Sequence, residues 1–81
     1  MSNSYDSDPA KLAYDANLSD TADLTNGICR ALYIGVTGNV KVTMPDGTAV
    51  TFTGAPVGVL PVKARRVWST GTTATNIVAL Y

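Results

Sequence analysis

Polar and apolar positions alternate cleanly in the middle of this chain, and the alternation gives way to a solid apolar run near residue 80. Val40, Val42 and Met44 alternate with Lys41 and Thr43; Pro45-Asp46-Gly47 turns the backbone; Val50 and Phe52 then alternate with Ala49, Thr51 and Thr53. A period of two on both sides of a turn sequence predicts a β-hairpin with one face in and one out. Upstream, Leu32, Ile34 and Val36 share one face of a strand and Ala31 and Tyr33 the other, so that strand is apolar on both sides. Thr37-Gly38-Asn39 predicts a tight turn between the two. Downstream, Gly54-Ala55-Pro56 and Gly58 punctuate a connection, and Leu60-Pro61-Val62 resumes an extended run with Pro61 marking an edge or a strand start. Val62 and Ala64 face one way, and a β-bulge near Arg65-Arg66 is expected to bring Val67 back to that side. Ser69-Thr70-Gly71-Thr72-Thr73 reads as a turn, and Thr75 to Tyr81 as a strand. Ile77-Val78-Ala79-Leu80-Tyr81 is unbroken apolar sequence. A strand of that kind is expected to be covered on both faces.

Residues 1–27 lack this pattern and read as an arm. Asp8-Pro9 followed by Ala10-Lys11-Leu12-Ala13-Tyr14 offers an N-cap, a proline at the first helical position and good helix formers, so a short helix is expected near 9–16. Ser19 to Gly27 has turn chemistry without a period and is expected to be extended or looped. The whole is then an acidic arm (1–27) and a β domain (28–81). The fold class is all-β, a small antiparallel β-barrel or sandwich of five to six strands with an extended N-terminal arm.

Length sharpens the meaning of the apolar surplus. A single domain of 81 residues buries only about 60% of the surface that its unfolded chain exposes. One cysteine, Cys29, cannot form a disulfide within the chain, and no metal cluster is legible, which leaves docking or oligomerisation as the expected support. Cys29 reads as a small buried hydrophobe in a reducing compartment. The first residues show no basic segment followed by an apolar core, so no signal peptide is expected, and no apolar run approaches the ~20 residues of a membrane span.

Net charge is zero but unevenly placed. Asp6, Asp8, Asp15, Asp20 and Asp23 against Lys11 leave the first 25 residues at −4, while Arg30, Lys41, Lys63, Arg65 and Arg66 against Asp46 leave the rest at +4. Two readings follow: a solvated acidic tail, or an arm lying on a basic face, its own or a neighbour's.

Candidate chemistry is sparse, for the chain contains no His, Glu or Gln. Acid/base, nucleophilic and metal sites draw on those side chains, so no catalytic, cofactor or metal residues are expected and the chain does not read as an enzyme. Asp15-x-Asn17-x-Ser19 opens like a calcium loop, but its sixth position is Asp20 rather than Gly and its twelfth is Asn26 rather than Glu. Asn17-Leu18-Ser19 is a glycosylation sequon that is inert without secretion. Arg65-Arg66 with Trp68, Tyr33 and Phe52 has the ingredients of a nucleic-acid surface. Zero net charge and an acidic arm argue against it. The arginines are expected instead to pair with aspartates of the arm or of a partner, with Trp68 and Tyr33 as interface anchors.

Several stretches resemble a known family. Ser19-Asp20-Thr21-Ala22-Asp23-Leu24, Arg30-Ala31-Leu32-Tyr33-Ile34-Gly35 and Gly38-Asn39-Val40-Lys41-Val42 are similar to the opening of small head-spike base proteins, related to capsid decoration (cement) proteins, of gene transfer agents and tailed phages. Val50-Thr51-Phe52, Gly58-Val59-Leu60-Pro61-Val62, Arg66-Val67 and Thr70-Gly71-Thr72-Thr73-Ala74-Thr75 through Leu80-Tyr81 continue the likeness, which spans residues 18–81. Trp68 departs from it, standing where a smaller polar residue is expected.

The resemblance implies an accessory capsid protein on the outside of an icosahedral head, as vertex spike base or lattice cement, with no catalytic residues to carry over. The expected partners are the major capsid protein, copies of the chain itself as a homotrimer or homopentamer, and a spike or fibre protein, with no membrane and no nucleic acid. The expected location is the virion exterior, after assembly in the host cytoplasm. Expected interface residues are Tyr33, Arg65, Arg66, Trp68, Ile77, Val78, Leu80 and Tyr81, and the expected capsid-contacting arm carries Asp6, Asp8, Asp15, Asp20 and Asp23. Two alternatives remain open at this point: a tail or baseplate adaptor, and an OB-like single-strand nucleic-acid binder.

Overall fold

The computed structural model describes residues 11–81. Seven strands follow in order: β1 (Ala13–Asp15), β2 (Ala31–Val36), β3 (Gly38–Thr43), β4 (Ala49–Ala55), β5 (Gly58–Leu60), β6 (Arg66–Val67) and β7 (Thr75–Leu80). They form two antiparallel sheets, one ordered β1-β7-β2-β5 and the other β4-β3-β6. The class is all-β, as a small two-sheet sandwich, with seven short strands rather than five or six.

The hairpin forms where the alternation predicts it. Val40 pairs with Phe52, Lys41 with Thr51, Val42 with Val50 and Thr43 with Ala49. The turn closes through Met44 N–H donating to the Thr48 carbonyl at 2.7 Å and Gly47 N–H donating to the Met44 carbonyl at 2.9 Å. Gly47 takes a φ of +97°, which costs a glycine nothing. The Asp46 carboxylate accepts from Thr48 N–H at 2.9 Å, the usual reason for an aspartate in such a turn.

The turn at residues 37–39 does something else. It carries the chain from the four-stranded sheet, where β2 lies, to the three-stranded one. The crossover runs hard against the segment before β7: a Cβ on Gly38 would sit 2.5 Å from the Ala74 backbone nitrogen. Only glycine fits there.

One local expectation is corrected. No helix forms over the described part of 9–16. Residues 13–15 are strand β1, paired with β7 in the register Ala13 to Leu80 and Asp15 to Val78. Residues 9 and 10 lie outside the described residues. Helix propensity in so short a segment is weak, and pairing with the edge of β7 overrides it. At Arg65-Arg66 the chain bulges as expected: both residues stand opposite Thr43, Arg65 donating its N–H to the Thr43 carbonyl at 2.9 Å while Arg66 pairs with Thr43 in the ladder. Ala64, which bridges Cys29, and Val67 are both fully buried as a result. A further register irregularity falls between Gly38 and Val40.

Leu32, Ile34, Val40, Val42, Ala64 and Val67 are completely buried, with Cys29, Ala79 and Ile77 beside them. The described part of the arm joins this core. Leu24 is buried, its N–H donates to the Arg65 carbonyl, and Ser19 N–H donates to the Val67 carbonyl. Asn17 closes the intervening loop, accepting from Thr25 N–H and donating to the Asp23 carbonyl.

Candidate docking face

Strand registers assign every side chain of the sandwich to a face. In the four-stranded sheet, Ile34 lies beside Ile77, and Leu32 beside Ala79 and Leu60, all directed to the core. The opposite, outward face therefore carries the row Asp15, Val78, Tyr33, Val59 and the row Ala13, Leu80, Ala31. Tyr33 is 40% exposed and Val59 61%, while Ala31, Val78 and Leu80 are half-buried. The unbroken apolar sequence of β7 is thus split: Ile77 and Ala79 fill the core, and Val78 and Leu80 stand on a sheet face that no other described element covers.

The outward face of the three-stranded sheet has a different chemistry. Lys41, Thr43, Arg66 and Trp68 meet there. The Lys41 ammonium lies 4.2 Å from the centre of the Trp68 ring and the Arg66 guanidinium carbon 5.6 Å from it, so two cations lie against one aromatic ring. Trp68 Nε1–H donates to Thr43 Oγ1 at 2.9 Å, which satisfies a hydroxyl on a residue only 6% exposed.

The arm supplies the counter-charge. Arg66 Nε–H donates to an Asp23 carboxylate oxygen at 3.0 Å, and Arg65 Nε lies 3.5 Å from the other oxygen. Asp20 accepts from both Thr70 Oγ1 at 2.6 Å and Thr70 N–H at 2.8 Å. Those bonds hold its carboxyl below the usual range, the side-chain bond contributing most. The Asp46 carboxyl is lowered in the same way, chiefly by the Thr48 N–H.

The expected interface residues therefore do not form one patch. Tyr33, Val78 and Leu80 share the apolar face. Arg65, Arg66 and Trp68 belong with Asp23 and the three-stranded sheet. Ile77 leaves the candidate surface altogether, since it faces the core and is 6% exposed. Tyr81 packs against the core, donates to the Gly27 carbonyl at 3.1 Å and meets Tyr14 edge-on at 5.8 Å; loss of solvent raises its phenol pKa.

Of the arm aspartates, Asp20 and Asp23 are engaged within the chain, Asp15 is exposed at the rim of the apolar face, and Asp6 and Asp8 lie outside the described residues. The calcium-like spacing gathers no ligands: Asn17 and the Ser19 hydroxyl are taken up by backbone groups of their own loop. Among the described residues no cluster of His, Cys, Asp or Glu could hold a metal. Cys29 is buried, and burial pushes its thiol upward, away from thiolate chemistry. No described helix is long and apolar enough to cross a membrane.

Val59 is the member of the apolar face that sequence reasoning missed. Its neighbours Gly58 and Leu60 pair with Ile34 and Leu32 on the inner side, so parity alone sends it outward once β5 is placed beside β2.

No family model and no curated protein matches the chain. A solved structure does: one chain of the capsid of a native GTA particle, computed with C5 symmetry, shares 37% identity at a TM-score of 0.80, over 90% of this chain and 84% of that one. An identity of that size over nearly the full length of both carries more than a shared sandwich topology. The chain belongs to the family of this gene-transfer-agent capsid chain.

Proposed function

We propose that the chain is a virion structural protein, an accessory component of a phage-like head that binds the outer surface of the shell as a homo-oligomer, in the role of cement protein or vertex spike base. The observation that carries the reading is the open apolar face of the four-stranded sheet, with Tyr33, Val59, Val78 and Leu80 side by side. Tyrosine and branched aliphatic side chains on a flat sheet bury much area at small entropic cost, which suits a permanent contact. Family membership supports the setting, since the related chain is part of a capsid. The major capsid protein and further copies of the chain are the partners, arranged about a threefold or fivefold axis, with a spike or fibre protein above. Asp15 at the rim gives the contact a negative border that selects a basic patch on the partner.

The arm's Asp23 sits between Arg65 and Arg66, and the chain carries no net charge, both of which disfavour a phosphate backbone. That favours the structural reading over a nucleic-acid binder.

The test is occupancy on purified particles. Leu80→Lys and Tyr33→Asp are expected to reduce the ratio of this chain to the major shell protein at least tenfold while leaving the circular dichroism spectrum unchanged. Undiminished occupancy, or wild-type copies found in sixfold array at the tail, would overturn the reading.

A further inference from the structure

Among the described residues the sandwich has four sheet edges, and three of them are guarded. β1 has three residues, one of them the charged Asp15, with Lys11 just before it; β5 has three residues between Pro56 and Pro61; β6 has two, one of them Arg66. Short length, charge and proline are the ordinary means of stopping a strand from pairing with another chain. β4 has none of them. It runs seven residues, Ala49-Val50-Thr51-Phe52-Thr53-Gly54-Ala55, at the edge of its sheet, and no charged residue occurs between Asp46 and Lys63.

The hydrogen-bond phase of β4 is fixed by its neighbours. Met44 N–H bonds to Thr48, so the alternation of an antiparallel ladder makes Val42 with Val50 and Val40 with Phe52 the bonded pairs. The other side of β3 agrees: Lys41 and Thr43 give their carbonyls to Trp68 N–H at 2.8 Å and Arg65 N–H at 2.9 Å, away from β4. Ala49, Thr51 and Thr53 consequently direct their N–H and C=O groups outward. Beyond them Gly54 turns the strand with a φ of +66°, and its N–H is taken by the Asn39 side chain. The usable edge is 49–53.

We propose that this edge pairs with the same edge of a second copy, antiparallel about a twofold axis at Thr51. In that register Thr51 faces Thr51, and Ala49 faces Thr53 in both directions, so every outward group of the segment finds a partner. Val50 of one copy then lies opposite Phe52 of the other on the inner face, an aromatic and β-branched pair that covers side chains now only half-buried. The segment is uncharged, so no like charges meet across the axis. The other edges of the molecule are guarded, which leaves β4 as its own best partner. The contact is isologous and therefore separate from any threefold or fivefold ring, which needs a heterologous one. It does not depend on the capsid reading.

Amide exchange measured residue by residue on the full chain at several concentrations tests it. The Val50 and Phe52 amides are expected to be protected at every concentration through β3. The Ala49, Thr51 and Thr53 amides are expected to gain protection only as a dimer forms. Thr51→Pro removes an outward donor and no β3 bond, and is expected to raise the dimer dissociation constant at least tenfold with the Val50 and Phe52 protection retained. Thr51→Lys, which sets two ammonium groups together, is expected to do the same and guards against a proline variant that fails to fold. A monomer at all concentrations, or a dimer in which residues 49, 51 and 53 exchange freely, would overturn the proposal. Thr51→Lys protein that still occupies particles at the normal ratio separates failure of this contact from failure of the docking face.

Discussion

Asp20 and Thr70 lie 50 positions apart and are joined by two hydrogen bonds to one carboxylate, which ties the arm to the turn before β7. A carboxyl whose folded pKa lies below its unfolded value adds stability above that unfolded value, near 3.9, and loses the contribution as pH falls through the folded pKa. Asp20 and Asp46 are both lowered by such bonds, so both stabilise the fold at neutral pH and cease to do so in acid. Thr70→Val is expected to move the Asp20 titration midpoint up toward the ordinary aspartate value, leaving Asp46 in place, as followed by carboxyl carbon shifts against pH. Both groups are fully exposed, so the titration is the sharper readout. The pairing of arginines with arm aspartates was foreseeable from charge segregation, and Asp23 with Arg65 and Arg66 realises it within the chain. Nothing in the sequence singled out Thr70 as the partner of Asp20, because a threonine in a turn has ample local reason to be there.

Among the elements, the β3–β4 hairpin was the most legible, because its period, its turn and its register are all local. β1 was the least. Ala10 to Tyr14 has helix-forming residues behind a proline, and the decision for strand is made by the free edge of β7, some 65 positions away. The crossover from β2 to β3 lies between these cases: its glycine was visible, but its purpose was not. Gly38→Ala would place a methyl group against the Ala74 backbone, which cannot retreat as a side-chain tip can. The substitution is expected to cost ~1–3 kcal/mol in chemical denaturation, as overpacking of a close contact does. A wild-type midpoint would mean that the two segments separate readily.

For the whole molecule, the sequence made the excess of apolar surface plain but not its location. That required the order β1-β7-β2-β5, which rests on contacts distant in sequence. Only then do Val78, Tyr33 and Val59 fall in one row while Trp68 and Arg66 go to the other sheet. The same order makes the arm part of the fold. Removing residues 1–17 strips β1 from β7 and takes Tyr14 from Tyr81. The truncated chain is therefore expected to melt below the full one, each kcal/mol lost lowering Tm by about 4–8 °C in a domain of this size. Equal melting temperatures would show the β1 pairing to be idle.

The position of β7 also governs when the protein can fold. It follows every other described strand in sequence yet lies between β1 and β2 in space. A nascent chain emerging from the ribosome has its hairpin early, but β1 and β2 wait without a common neighbour until residue 80 has left the exit tunnel. Closure of the sandwich therefore waits for the last of the described strands, and chaperones have their opportunity during that wait.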